Sequence, residues 1–208
     1  MTPAEPRRAS PSILLAMAAA MVLAACSRGQ EFVAAYGDAD PSRDAFHVCH
    51  GYGCYYRSPA RIEPAAWAEI AGHFKGRVRD AAEERRRVAR AVALFETTVG
   101  EQTGTAADEP GAGMFAKDRY QQDCIDEAVN TTTYLRLLAK DGLLRHHRIG
   151  EAAWRGNFVD GWPHNTAVLI ENGTGASYAV DSWFFANGVE PAIVPLDEWK
   201  AGWRPPST

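Results

Sequence analysis

Apolar and polar positions along the chain alternate in three different rhythms. From Ile13 to Ala25 the run is unbroken by charge or polar side chains. Further on, apolar residues recur at helical spacing. Trp67, Ile70 and Phe74 share one face after Pro64, a residue that suits a first helical turn. Val88, Val92, Phe95 and Val99 form the stripe of a second helix expected from about 80 to 99. Ala128, Thr132, Leu135 and Leu138 mark a third. That third helix starts at Asp123, whose carboxylate can accept first-turn N–H groups, and can end at Gly142. Then the rhythm shortens. Residues 143–148 read as a strand, and 164–171 and 176–181 as two more. They are joined by Asn172-Gly173-Thr174-Gly175, a strong hairpin signal. The expected fold class is α+β, with helices packed against an antiparallel sheet.

The first run is too short for a membrane span, which needs about 20 apolar residues. With Arg7 and Arg8 before it and Leu23-Ala24-Ala25-Cys26 at its end, it reads as a secretion signal. The tetrapeptide resembles the lipobox of bacterial lipoproteins. That resemblance implies a diacylglycerol on the Cys26 thiol and an acylated Cys26 amine, a firmer anchor than one chain provides. Ser27 is not the Asp that resembles an inner-membrane retention mark. The expected location is therefore the outer membrane, facing the periplasm. Residues 1–25 form the leader, 26–45 a tether, and 46–208 a single domain with a helical N-terminal part. Cleavage leaves 183 residues, enough to bury a core.

The whole chain carries a formal charge of −4. The leader holds two Arg and one Glu, so the mature chain is one unit more negative. A nucleic-acid partner, which favours a basic face, is not indicated. Glu83-Glu84-Arg85-Arg86-Arg87 reads as a solvated helix face, and His146-His147 as surface residues. Residues 100–115, rich in Gly, Thr, Ala and Pro, read as a surface loop that could lie over a cleft.

Four cysteines are present: Cys26, Cys49, Cys54 and Cys124. Thiols pair in an oxidising compartment. Cys49 and Cys54 flank His50-Gly51-Tyr52-Gly53, a segment able to bend tightly, and read as a disulfide. A bridge from Cys124 to either is the alternative. His47, Cys49, His50 and Cys54 are also the residue types of a zinc site. Cys124 is otherwise left over, at the start of a helix. There, exposed N–H groups and the helix dipole favour a thiolate.

His164 begins one strand of the hairpin and Asp181 ends the other, so the two can be cross-strand neighbours. Should the helix set its N-terminus over that edge, Cys124, His164 and Asp181 supply a nucleophile, a base and an orienting carboxylate. Trp162, Trp183, Phe184 and Phe185 would line the cleft. Asp123-Cys124-Ile125-Asp126-Glu127-Ala128, Pro163-His164-Asn165-Thr166-Ala167-Val168-Leu169 and Tyr178-Ala179-Val180-Asp181-Ser182 together resemble the bacterial transglutaminase-like cysteine proteinases, of the papain and transglutaminase superfamily. The resemblance covers about residues 115–187. It implies a helix-borne Cys124 nucleophile packed on a sheet carrying His164 as general base and acid and Asp181 as orienting group. The Cys124 N–H, with Gln121 or Gln122, would form an oxyanion hole. No cofactor is required. Some members of that family bind calcium near the nucleophile, and Asp126 and Glu127 are the oxygen ligands available here. The function so implied is a lipid-anchored periplasmic thiol hydrolase, cleaving or transferring a peptide or amide acyl group of an envelope peptide or protein. The alternative is a non-catalytic envelope-binding lipoprotein on the same scaffold.

Overall fold

The computed structural model describes residues 28–113, 118–157 and 161–206. The leader and Cys26 lie outside the described residues. Helix α1 spans Arg28–Tyr36, strands β1 and β2 span Phe46–His50 and Tyr56–Ala60, and helices α2 and α3 span Pro64–Gly72 and Ala81–Thr103. A 3₁₀ turn, Thr105–Ala107, precedes helix α4, Cys124–Lys140. Strands β3 (His147–Ile149), β4 (Ala153–Asn157), β5 (Gly161–Glu171), β6 (Ser177–Asp181) and β7 (Ala192–Pro195) follow, and helix α5 (Leu196–Lys200) comes last. The fold is α+β and its strand pairs are antiparallel.

Local chemistry sets the helix ends. Asp80 accepts the Glu83 N–H at 2.7 Å, and Gly104 closes α3 in the left-handed conformation at φ +86°. The helix therefore runs four residues past the end expected from its apolar stripe. At the start of α4, Asp123 Oδ1 accepts the N–H groups of Ile125 and Asp126, while Asp126 Oδ2 accepts the Asp123 N–H, a reciprocal capping box.

The main sheet has the order β3-β5-β6-β7, and β4 pairs with the first half of β5. The 11-residue β5 is its spine. Asn172–Gly175 turns the chain into β6, with Gly175 at φ +76°. Ala167 lies opposite Val180. Both enter one core with Leu169, with Tyr134, Leu135 and Leu138 of α4, and with Val88, Val92, Phe95 and Val99 of α3. Phe95 stacks on Tyr134 at 4.9 Å between ring centres. Trp67, Ile70 and Phe74 close the same core.

The segment expected as a tether is folded from residue 28. Its helix α1 buries Val33 among Cys49, Cys54 and Val129. Asp38 then accepts the His47 N–H at 2.6 Å and pairs with Arg57 at 2.8 Å. The acidic and basic run on α3 is also not simply solvated. Glu84 is fully buried and accepts N–H groups from Arg145 and His146. His147, expected at the surface, is buried beside it, with Nδ1 2.9 Å from Glu84 Oε1. A carboxylate with three donors can be buried where a lone one cannot.

Candidate active site

The strands order this region through simple alternation. Ala167 and Leu169 face α4, so Asn165 does too. His164 and Asp181 fall on the opposite face. There His164 Nε2 meets Asp181 Oδ2 at 2.7 Å, both side chains buried. They are diagonal rather than directly opposite, because Ala167 pairs with Val180. His164 Nδ1 is buried and has no hydrogen-bond partner among the described residues.

Helix α5 covers this pair. Trp199, fully buried, donates from Nε1 to the same Asp181 Oδ2 at 2.6 Å, and its ring lies 5.4 Å from that of His164. Arg155, opposite His164 in the β4–β5 register, stacks on Trp199 at 4.3 Å and donates to the carbonyls of Trp199 and Trp203. Trp183 and Phe184 pack on the imidazole at 4.7 and 5.2 Å. The side chain of Trp162 lies outside the described residues.

Cys124 is a free thiol. Its sulfur sits 3.9 Å from the Pro163 carbonyl oxygen and 3.7 Å from Asn165 Nδ2, against both chain neighbours of His164. It makes no hydrogen bond to the imidazole. The thiolate expected from the helix start is not favoured at rest. Burial first, and then the Asp123 carboxylate, push the thiol up to about 12. Desolvation penalises the charged form, and the nearby carboxylate adds to it.

The Cys49–Cys54 disulfide is formed. Its loop, which the sequence left unplaced, lies on the start of α4. Gly51, Tyr52, Gly53 and Cys54 are all left-handed, at φ +79°, +71°, +66° and +58°. Non-glycine residues adopt this region at a cost of about 1–2 kcal/mol each. Here it aims successive N–H groups at two carboxylates. Tyr52 and Cys54 donate to Asp126 at 2.9 and 2.6 Å, and Gly53 donates to Asp123 at 3.0 Å. The Asn130 amide brackets the Cys49 backbone, accepting from its N–H at 2.7 Å and donating to its carbonyl at 2.9 Å.

These contacts decide several expectations. The disulfide consumes both sulfurs of the zinc alternative, and the ring nitrogens of His50 are taken by the Arg119 carbonyl and Ser58. Asp126 and Glu127 do not form one ligand set. Both oxygens of Asp126 accept backbone N–H groups, and Glu127 is buried towards Glu96 and Asp108. Among the described residues, the group of three possible ligand atoms is Cys49, Cys54 and Asp126, two of them disulfide sulfurs.

Gln121 and Gln122 hold loops. Gln121 donates to the Ala107 carbonyl and accepts from the Glu109 N–H, each at 2.9 Å, and Gln122 reaches the Cys49 carbonyl at 3.4 Å. The 105–113 loop does lie beside the site. Gly111 donates to the Trp183 carbonyl, and the Trp183 indole donates to Ala112. Asp108 of this loop and Glu96 of α3 are each raised to about 7, mainly by burial. Glu96 is held by Ser182 and the Gly188 N–H, and the Glu127 Oε2 beside it has no partner among the described residues.

A cleft of about 850 Å³ between Asp38, Asp44, His47, Arg61 and Gln102 contains none of Cys124, His164 or Asp181. Its lining carries no thiol or hydroxyl group. No helix among the described residues is long and apolar enough to cross a membrane.

No family model, curated protein or solved structure matches the chain.

Proposed function

We propose that the chain is a thiol hydrolase acting on a peptide or amide acyl group, with a papain/transglutaminase-like core. The observation that carries the reading is the His164–Asp181 pair, closed by Trp199, whose imidazole keeps Nδ1 unused while a free thiol abuts residues 163 and 165. Asp181 on Nε2 fixes the tautomer and leaves Nδ1 as the base. Alternation puts the imidazole on the other face of β5 from α4, so the reading requires Nδ1 and the sulfur to come together when substrate binds. Since the thiol is neutral at rest, ionisation belongs to the encounter with substrate, when catalytic contacts tighten.

The Cys124 thiol passes its proton to His164 Nδ1 as sulfur attacks the carbonyl carbon, whose π pair moves to oxygen. Collapse expels the amine, which takes the proton from His164 and leaves a thioester. Water, deprotonated by the same imidazole, attacks the thioester carbon. Collapse expels the Cys124 sulfur, which takes the proton back from His164, and frees the acid. An amine in place of water gives acyl transfer. The residues as placed do not fit calcium between Asp126 and Glu127, so no step is routed through an ion. The leader and Cys26 support a lipid-anchored protein on the outer membrane facing the periplasm, with an envelope peptide or protein as substrate.

The second reading, an envelope-binding lipoprotein without catalysis, is favoured by the raised thiol and the missing sulfur–imidazole hydrogen bond. Intact mass after exposure to p-nitrophenyl acetate separates the two. Hydrolase chemistry gives a transient acetyl adduct that maps to Cys124 and disappears in Cys124→Ala. A protein that stays unacylated is the binding module.

A further inference from the structure

We infer that Asn165 is the side-chain donor to the oxyanion, an assignment that rests on the thiol-hydrolase reading. Strand alternation puts Asn165, not His164, on the α4 face of β5, and its Nδ2 lies 3.7 Å from the Cys124 sulfur. An amide N–H in van der Waals reach of the nucleophilic atom is in hydrogen-bond reach of an oxygen two bonds away from it. Sulfur is a weak acceptor, so that N–H is readily drawn to a developing oxyanion.

The side chain has no structural employment that explains it. It is 5% exposed, and its Oδ1 is buried without a partner among the described residues. A buried amide whose only side-chain hydrogen bond among those residues is a long contact to sulfur is one that packing alone would replace by an apolar residue. The glutamines that the sequence offered for this role are engaged elsewhere, Gln121 with Ala107 and Glu109 and Gln122 with Cys49. The second donor is the Cys124 N–H. Asp123 serves the N–H groups of Ile125, Asp126 and Glu127 and leaves that one over.

Two reactions of the same thiol isolate the effect. Acylation by p-nitrophenyl acetate passes through an oxyanion, whereas alkylation by iodoacetamide displaces iodide and forms none. Both need the thiolate, so their ratio cancels any change in its population. In Asn165→Leu and Asn165→Asp, the ratio of the acylation rate to the alkylation rate is expected to fall about 10²–10³-fold. Thermal melts of each variant check the fold. Equal losses in both reactions, unchanged acylation, or loss of fold in both variants would overturn the assignment. Failure of the underlying reading looks different, because the wild-type protein would then alkylate at Cys124 but never acylate.

Discussion

Trp199 and His164 donate to a single oxygen, Asp181 Oδ2, at 2.6 and 2.7 Å. The indole comes from the C-terminal helix and the imidazole from the central strand, so the last turn of the chain is part of the site. Asp181 is 2% exposed, and these two donors are what a buried carboxylate needs. Replacing Trp199 with Phe keeps the ring over His164 and removes the N–H. A hydrogen bond to a charged group is worth about 1.5–3 kcal/mol. Trp199→Phe is expected to lose about that much stability in urea denaturation. It should also slow acylation less than Asp181→Ala does.

The raised Cys124 thiol makes a statement about pH. With the thiol pushed up to about 12, alkylation by iodoacetamide should climb about tenfold per pH unit from pH 7 to 10, tracking the thiolate fraction. A thiolate–imidazolium pair formed at rest would instead give a rate plateau at mildly acidic pH. Stopped-flow or mass-resolved alkylation across that range distinguishes the two.

Buried carboxyls make a second one. Glu96 and Asp108 are raised from ordinary carboxylate values to about 7, with burial the leading cause. An acid whose folded value lies above its unfolded value favours the folded state most when protonated. That contribution is complete below about pH 4 and is lost as pH rises to about 7. These two groups therefore pull the melting temperature down between about pH 4 and 7. Glu96→Gln, which stays neutral and can still accept from Ser182 or Gly188, should flatten the decline. A steeper decline in the variant would contradict this.

Reduction of the Cys49–Cys54 bridge should be felt at the helix that carries Cys124. A short closed loop contributes about 2 kcal/mol through the unfolded chain. Here the same loop also aims the Tyr52, Gly53 and Cys54 N–H groups at Asp123 and Asp126. Cys49→Ala/Cys54→Ala is expected to lower the melting temperature by several degrees. It should also speed amide exchange at the first turn of α4, read by hydrogen–deuterium exchange mass spectrometry.

Periodicity made the framework readable before any coordinates. The stripe Val88, Val92, Phe95 and Val99 is buried as a row, and Asn172–Gly175 turns β5 into β6. Pairwise chemistry across long sequence distances was not readable. Nothing in the local sequence says that Glu84 meets His147 or that Asn130 grips Cys49. Trp199 lies outside the stretch that carries the family resemblance, so its hold on Asp181 was missed. Asn165 does not stand out in the sequence because a residue beside a candidate histidine points to the other face of its strand. The thiol's raised value is hidden for a related reason. A helix start is visible in the sequence, whereas the burial that pushes the thiol up is not.

Whether sulfur and imidazole act together is tested most directly by the second-order rate of Cys124 acylation by p-nitrophenyl acetate at pH 7 in the wild type and in His164→Ala. General-base catalysis contributes about 10²–10⁴-fold. The account predicts a loss in that range, with alkylation at pH 10 little changed. Equal acylation rates in the two proteins would contradict it.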